Sequence, residues 1–174
     1  MITHPHTTTQ PIRIAQLNIQ KKKPATIQLL NNYTDDFDIL LIQEPACGFI
    51  GRDDTLGMEI HGPVALCGWN IILPVSAINA DAPRPRTLTY YKPRPDFSIT
   101  LRSDLIEDWD VQFLDINQSG YPTVSIINVY NDHSKGQECI LNRIRQNSNI
   151  LPPIRPSQLA TTTYTTPPGQ GKTG

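Results

Sequence analysis

Polar residues follow apolar runs at two places in the first quarter of the chain, and their types suit a metal ion or a phosphate. Asn18 lies near the end of IRIAQLNI (12–19), and Gln43 and Glu44 come directly after ILLI at 39–42. A carboxylate and an amide oxygen are hard ligands, which suit a magnesium ion that keeps most of its waters and takes its other ligands from a phosphate. Spacing alone also allows a simpler interpretation, in which Glu44 is a solvated charge at a strand end and Asn18 is a turn residue.

The segments that carry these residues have the pattern of a strand–helix–strand unit. Residues 12–19 alternate apolar and polar side chains, as in a strand. Pro24 stands at a suitable first helical position, apolar residues follow at helical spacing, and the acidic segment 35–38 is predicted to end the helix. The continuous apolar run at 39–42 is typical of a strand covered on both faces. If the two strands are parallel neighbours, their polar ends lie side by side at the edge where open α/β sheets bind ligands.

The pattern from residue 46 to residue 151 predicts a β-rich region with one further helix. Proline-rich loops and a turn at Gly120 separate several short strands. The segment ECILNRIR at 138–145 predicts a helix with one apolar face, and beyond Leu151 the periodicity disappears. The expected strands are 69–73, 87–91, 98–101, 111–116 and 123–130.

Composition limits the class of the protein and its compartment. The 174 residues suffice for about one domain, and 38% hydrophobic with 18% charged residues is ordinary for a globular protein. Because the net charge is −1, any nucleic-acid surface must be local. Three widely spaced cysteines form neither a disulfide framework nor a zinc spacing, which favours a reduced compartment. Residues 1–11 lack a signal sequence and no run is long enough for a membrane span, so we expect an intracellular, non-secreted protein of the nucleus or cytoplasm without membrane contact.

Three strand-ending motifs resemble a known family. The motifs occur in the same order as in the endonuclease/exonuclease/phosphatase family, and their spacing is similar. They are QLNIQ at 16–20, DILLIQEP at 38–45 and IINVYND at 126–132. They most closely resemble its branch inside non-LTR (LINE-like) retrotransposon polyproteins. PRPRTLTYYKP at 83–93 resembles the Arg-then-Tyr strand of the same family. The resemblance extends from residue 12 to about residue 150.

The resemblance implies a four-layered α/β sandwich that hydrolyses phosphodiester bonds with magnesium, or with manganese in its place, and that nicks DNA in the intact parent. By position, Glu44 is implied as the metal-ligating carboxylate and Asn18 as the neighbour that positions metal or phosphate. Tyr130 is implied as a hydrogen-bond donor to the scissile phosphate, with a buried tyrosine at a strand end as the alternative. Arg86 is a weaker candidate for a phosphate contact, and an exposed loop charge is an equally good interpretation.

The chain also departs from the family pattern. The Gly-Asp-x-Asn motif, which supplies an Asp for the attacking water and an Asn for the phosphate, is absent, as is the terminal Ser-Asp-His. After Tyr130 the chain continues with NDH at 131–133 in place of a proline-containing loop. Without the motif the attacking water lacks a general base, so we expect little or no nuclease activity.

These departures define the expected organisation. We predict a disordered extension at 1–11, an incomplete endonuclease/exonuclease/phosphatase domain at 12–151 and a low-complexity, disordered tail at 152–174. The leading hypothesis is a truncated DNA endonuclease domain of a retrotransposon polyprotein. The alternatives are a non-catalytic nucleic-acid- or protein-binding remnant, and a phosphatase or lipid phosphodiesterase of the same superfamily.

The composition of the tail offers an explanation for the missing motif, which is expected around residues 155–165. Every threonine codon begins with AC, so a threonine-rich segment read one base earlier encodes Tyr, His, Asn or Asp. With suitable codons, ATTTYTTPPG at 160–169 becomes Gly-Asp-Tyr-Asn-Leu-His-His-Pro-Ala-Trp in that frame, the form the motif takes in retrotransposon endonucleases. We therefore predict that the tail is a frameshift product, the alternative being a native low-complexity segment.

Overall fold

The structure is a computed structural model that describes residues 10–131, except 34, 53, 54, 56, 58 and 75–83, together with 142, 144 and 146. Within the described part of 10–131 the chain is mixed α/β, mostly sheet, with one helix. The elements, in chain order, are β1 (Ile14–Asn18), α1 (Lys23–Asn32), β2 (Ile39–Gln43), β3 (Cys47–Arg52), β4 (Glu59–Pro63), β5 (Asn70–Ile72), β6 (Thr87–Tyr91), β7 (Phe97–Leu101), β8 (Val111–Gln118) and β9 (Val124–Val129).

The strands form three sheets. A four-stranded sheet has the order β1-β2-β6-β5, a three-stranded sheet has the order β7-β8-β9, and β3 pairs with β4 alone. β1 and β2 run parallel and are joined through α1, whereas the other paired strands are antiparallel. The predicted strand–helix–strand unit is therefore confirmed. In this unit Asn18 pairs with Gln43, which places the ends of the two strands side by side.

β2 is buried on both faces, as its continuous apolar run predicts. Leu40 and Ile42 pack into a cluster that contains Leu29 and Leu30 of α1. The alternate residues Ile39 and Leu41 pack into a second cluster, which contains residues of β7 and β8. Burial of such a side chain stabilises the fold by about 2 kcal/mol. The described residues thus form three layers, with α1 on one face of the four-stranded sheet and the three-stranded sheet on the other.

A charged cluster lies at the amino end of β2, opposite to the end that carries Glu44. Asp38 accepts a hydrogen bond from the backbone N–H of Arg13 at 2.8 Å and forms an ion pair with Arg94 at 3.2 Å. Burial opposes the ionisation of Asp38, but the bonds from Arg13 and Arg94 outweigh it and lower the pKa of this carboxyl. Arg94 also binds Asp96, and together with Gln118 it lowers the pKa of Asp96 to about 2. Both carboxyls are therefore held in the charged form.

The predicted strands are all confirmed, with ends that differ by at most two residues, and 87–91 is matched at both ends. The helix ends earlier than expected, because the backbone of Tyr33, with φ −110° and ψ 22°, is not helical. α1 therefore ends at Asn32, before the acidic segment that was expected to end it. β3 and β4 escaped prediction, since glycines interrupt β3 and its side chains do not alternate in polarity.

The remaining predictions fall partly outside the described residues. Of the helix predicted at 138–145, Asn142 and Ile144 are helical, and the other positions are outside the described residues. Residues 1–9 of the predicted extension and the whole tail at 152–174 are also outside them. No helix in the described part of the chain is long and apolar enough to cross a membrane.

Candidate active site

Glu44 lies at the carboxyl edge of the four-stranded sheet, one residue beyond β2. Its backbone N–H donates to the carbonyl of Arg86 at 2.8 Å, and Arg86 directly precedes β6, which runs antiparallel to β2. Its φ is 47°, in the left-handed region that a residue with a side chain seldom adopts. The Glu44 side chain is half-buried.

Tyr130 occupies the corresponding position in the three-stranded sheet, one residue beyond β9. Its backbone N–H donates to the carbonyl of Asp110 at 2.8 Å, directly before β8. Its phenol O–H donates to Oε1 of Glu44 at 3.0 Å. This bond joins residues 86 positions apart in the chain and connects the two sheets at one edge.

Arg86 and Asp110 form a second connection between the sheets. Nε and Nη2 of Arg86 donate to the two carboxylate oxygens of Asp110, with Nη2 at 2.5 Å from Oδ2. The pair is secluded from solvent, since the side chains are 22% and 2% exposed. The Arg86 guanidinium carbon also lies 5.2 Å from the centroid of the Tyr130 ring, at cation–π distance.

Glu44, Arg86, Asp110 and Tyr130 therefore form a closed ring, called the four-residue ring below. Backbone hydrogen bonds connect its members within each sheet, and side-chain hydrogen bonds connect them between sheets. Each member lies one position outside the last residue pair of its strands, so the two sheets contribute to the ring in equivalent ways. The last pairs are Gln43 with Thr87 and Val111 with Val129.

A buried polar layer lies between the two sheets, next to the four-residue ring. Nδ2 of Asn128, which is fully buried, lies 3.3 Å from the Ile42 carbonyl, 3.2 Å from the Leu88 carbonyl and 3.2 Å from Oε1 of Gln112. Gln112 in turn accepts a bond from Thr89 at 2.9 Å. A polar layer of this kind specifies how two sheets align, because a shifted register would leave its buried groups without partners.

Asn18 lies beside this edge, as the last residue of β1. Its Oδ1 accepts the backbone N–H of Gln20 at 2.9 Å, and the backbone N–H of Lys21 donates to the Glu44 carbonyl at 2.8 Å. Gln20 and Lys21 have φ values of 52° and 59°. With Glu44 they are the non-glycine residues of positive φ in the described chain, so the unusual backbone conformations gather at this edge.

The oxygen atoms of Glu44 and Asn18 at this edge are suitable ligands for a magnesium ion that is mostly hydrated. The described residues contain no group of three or more His, Cys, Asp or Glu that could hold a metal ion by itself. A cation here would be bound by the Glu44 carboxylate and by the Asn18 amide oxygen, which retains a second lone pair beside its bond to Gln20. Magnesium takes one or two protein oxygens and fills its other positions with water and phosphate.

Cys47, three residues beyond Glu44, is a half-buried free thiol. Burial raises its pKa, and the nearby Arg84 reverses this only in part. The thiol is therefore protonated at neutral pH and is not an activated nucleophile.

The structure brings two of the predicted site residues into contact and places a third beside them. Glu44 and Tyr130 are hydrogen-bonded, and the end of the strand that carries Asn18 pairs with the residue before Glu44. Arg86 is neither an exposed loop charge nor a guanidinium directed only at solvent, because two of its nitrogens donate hydrogen bonds to the Asp110 carboxylate. Sequence reasoning missed Asp110. Its position directly before a long β-rich run, like that of Arg86 before 87–91, was the available signal.

Comparisons with known proteins give no further assignment of this site. The interpretation of the four-residue ring therefore depends on the residues and distances described above. No protein-family model, no curated protein and no solved structure matches the chain.

Proposed function

We propose that the chain is part of a magnesium-dependent phosphodiesterase domain of the endonuclease/exonuclease/phosphatase type, from the non-LTR retrotransposon branch, whose intact parent nicks DNA. The observation that carries this proposal is the 3.0 Å hydrogen bond between the Tyr130 phenol and the Glu44 carboxylate. The bond joins the carboxylate that we propose as a metal ligand to the phenol that we propose as a phosphate-binding group, and the two come from the ends of strands in different sheets.

The residues at this edge have different proposed roles. Glu44 and Asn18 would hold Mg²⁺, or Mn²⁺ in its place. The single O–H of Tyr130 donates to Glu44 in this structure, and we propose that it turns to an oxygen of the scissile phosphate when substrate binds. A bound divalent ion polarises a phosphoryl oxygen and stabilises the leaving alkoxide. The protein residues contribute orientation, since phosphoryl transfer depends mainly on positioning and charge stabilisation. The parallel pair β1–β2 supports this assignment, because ligands bind beyond the carboxyl ends of such strands.

The layer arrangement is also part of the proposal. α1, the four-stranded sheet and the three-stranded sheet correspond to three layers of a four-layered α/β sandwich. We propose that a helical layer on the outer face of the three-stranded sheet completes it. Val111 and Phe113, which alternate on β8 with the residues that face the other sheet, are 1% and 7% exposed and suit such a cover.

The 174 residues supply only part of a hydrolytic site. They contain no Gly-Asp-x-Asn motif, whose Asp acts on the attacking water in the family that the chain resembles. The proposed activity of the chain itself is therefore weak. The missing motif also favours a second candidate, a non-catalytic nucleic-acid- or protein-binding remnant.

Binding of Mn²⁺, followed by the electron paramagnetic resonance signal of the free ion, tests the proposal. The wild-type chain should bind Mn²⁺ saturably, and Glu44→Gln should weaken the affinity by about tenfold, because the number of ligand charges sets the affinity. Glu59→Gln, at a side chain on β4 that is 57% exposed, is the matched control and should bind as the wild type does. Equal affinity in Glu44→Gln and the wild type would contradict the proposal and leave the non-catalytic remnant as the better account.

A further inference from the structure

We propose that Arg86 and Asp110 are a positioning pair that holds the Tyr130 phenol on the Glu44 carboxylate. The inference deepens the proposed function, on which it rests, and it assigns roles to two residues beyond those that bind metal or phosphate. It also replaces the expectation that Arg86 contacts a phosphate.

The geometry of Arg86 suits a positioning role better than a phosphate contact. Two of its nitrogens, Nε and Nη2, donate to Asp110, and a side chain that is only 22% exposed offers little surface to a polyanion. A planar fork matches a carboxylate with two parallel hydrogen bonds, which lysine cannot do. The pair fixes the guanidinium group, whose central carbon lies 5.2 Å from the centroid of the Tyr130 ring.

Asp110 is the counterpart that makes this arrangement stable. Its side chain is 2% exposed, and a buried carboxylate requires a charge partner and hydrogen bonds. Its backbone is held as well, because its N–H donates to Oδ1 of Asp108 at 2.8 Å and its carbonyl accepts the N–H of Tyr130 at 2.8 Å. Asp110 therefore fixes Tyr130 by the backbone and Arg86 by the side chain.

These contacts restrict Tyr130 at three points. The backbone N–H is bonded to Asp110, one face of the ring lies near Arg86, and the phenol oxygen is bonded to Glu44. Loss of the guanidinium plane frees the ring to rotate and removes its preferred position at the metal-binding carboxylate. Arg86 and Asp110 thus act on the site through Tyr130, as residues that orient metal ligands commonly do.

Nuclear magnetic resonance of the whole chain with ¹³Cζ-labelled tyrosine tests this inference without reference to activity. The Tyr130 signal is assigned by its absence in Tyr130→Phe. Arg86→Lys, which keeps the charge opposite Asp110 and so protects the fold, should shift or broaden the Tyr130 signal. It should also weaken Mn²⁺ binding by about tenfold, as loss of an orienting partner does. Asp110→Asn should have the same two effects. The double variant should lose no more Mn²⁺ affinity than either single variant, because the two residues act as a unit.

Arg102→Lys is the matched control, since Nε and Nη2 of Arg102 also donate to the two oxygens of one carboxylate, that of Asp104, at 2.8 and 2.7 Å. It should leave the Tyr130 signal and Mn²⁺ affinity unchanged. An unchanged Tyr130 signal in folded Arg86→Lys would overturn the inference. The failure of the proposed function gives a different result: the Tyr130 signal would still respond to Arg86→Lys, but Mn²⁺ would not bind the wild type or shift that signal.

Discussion

The side-chain amide of Gln43 donates a hydrogen bond to the backbone carbonyl of Val129 at 2.5 Å. Gln43 is the last residue of β2 and Val129 is the last residue of β9, so the bond joins the two strands at the positions directly before Glu44 and Tyr130. The distance between Glu44 and Tyr130 is therefore determined by two contacts between the sheets. One is their own hydrogen bond, and the other is this bond between the residues that directly precede them.

Gln43→Ala should reduce the free energy of unfolding by about 1–3 kcal/mol, because the Val129 carbonyl loses its partner between the sheets. Urea denaturation followed by circular dichroism measures the change. Gln16→Ala, at an exposed position of β1, should change the free energy by no more than about 0.5 kcal/mol. If both variants unfold at the same urea concentration, the bond between the sheets contributes nothing measurable.

The chain should nick supercoiled plasmid weakly or not at all in the presence of Mg²⁺. The loss of a general base or acid typically lowers the rate by about 10²–10⁴-fold, and the sequence lacks the motif that supplies the base. Gel assays of the wild type beside Glu44→Ala measure the activity that belongs to this site, and phosphomonoester substrates test the phosphatase alternative. Strong Mg²⁺-dependent nicking that disappears in Glu44→Ala would show that the 174 residues contain a complete site.

Stability should fall as the pH is lowered through the range from about 4 to about 2, because of the charged cluster at the amino end of β2. The ordinary pKa of an aspartate is 3.8. In the folded protein the pKa of Asp38 is lowered, and the pKa of Asp96 is lowered to about 2. A lowered pKa in the folded state means that the unfolded chain binds more protons, so stability is fully present above pH 4 and is lost as the pH falls through the folded values.

Thermal unfolding at a series of pH values between 2 and 7 checks this prediction. Asp38→Asn should lower the melting temperature at pH 7 and flatten its dependence on pH between 4 and 2. Asp36→Asn, at an exposed position nearby, should keep the wild-type pH profile. A profile for Asp38→Asn parallel to that of the wild type would mean that Asp38 is not linked to acid unfolding.

The gene should carry an interruption of the reading frame between the codons of about Asn147 and Leu159. In the frame one base earlier, the DNA that encodes 159–169 should spell the Gly-Asp-x-Asn motif, followed by two histidines and a tryptophan. That frame should continue into the rest of an endonuclease and a reverse transcriptase. Sequencing of the locus and its transcript measures this directly. Stop codons in that frame, or a different motif, would mean that the tail is native and would favour a non-catalytic module.

The sequence by itself determined the elements that hold the site. The apolar run at 39–42 indicated a strand buried on both faces, and Ile39 and Leu41 pack away from Leu40 and Ile42 as that pattern requires. The strand ends at Glu44 and Tyr130 were also readable, because polar residues after a β-rich run mark the end of a strand. These features depend on neighbouring residues in the chain, so local periodicity is enough to predict them.

Only the tertiary structure decided which strand ends meet. Arg86 and Asp110 are 24 residues apart, and Tyr130 and Glu44 are 86 apart. Nothing in the local pattern of either pair distinguishes a partner from a solvated charge. Their contacts follow from the alignment of two sheets, which depends on the packing of Leu41 and Leu114 between them and on the bonds of Asn128 and Gln43. The sequence therefore predicted Arg86 as a phosphate ligand or a loop charge. In the structure its guanidinium is bound to Asp110 and lies near the Tyr130 ring.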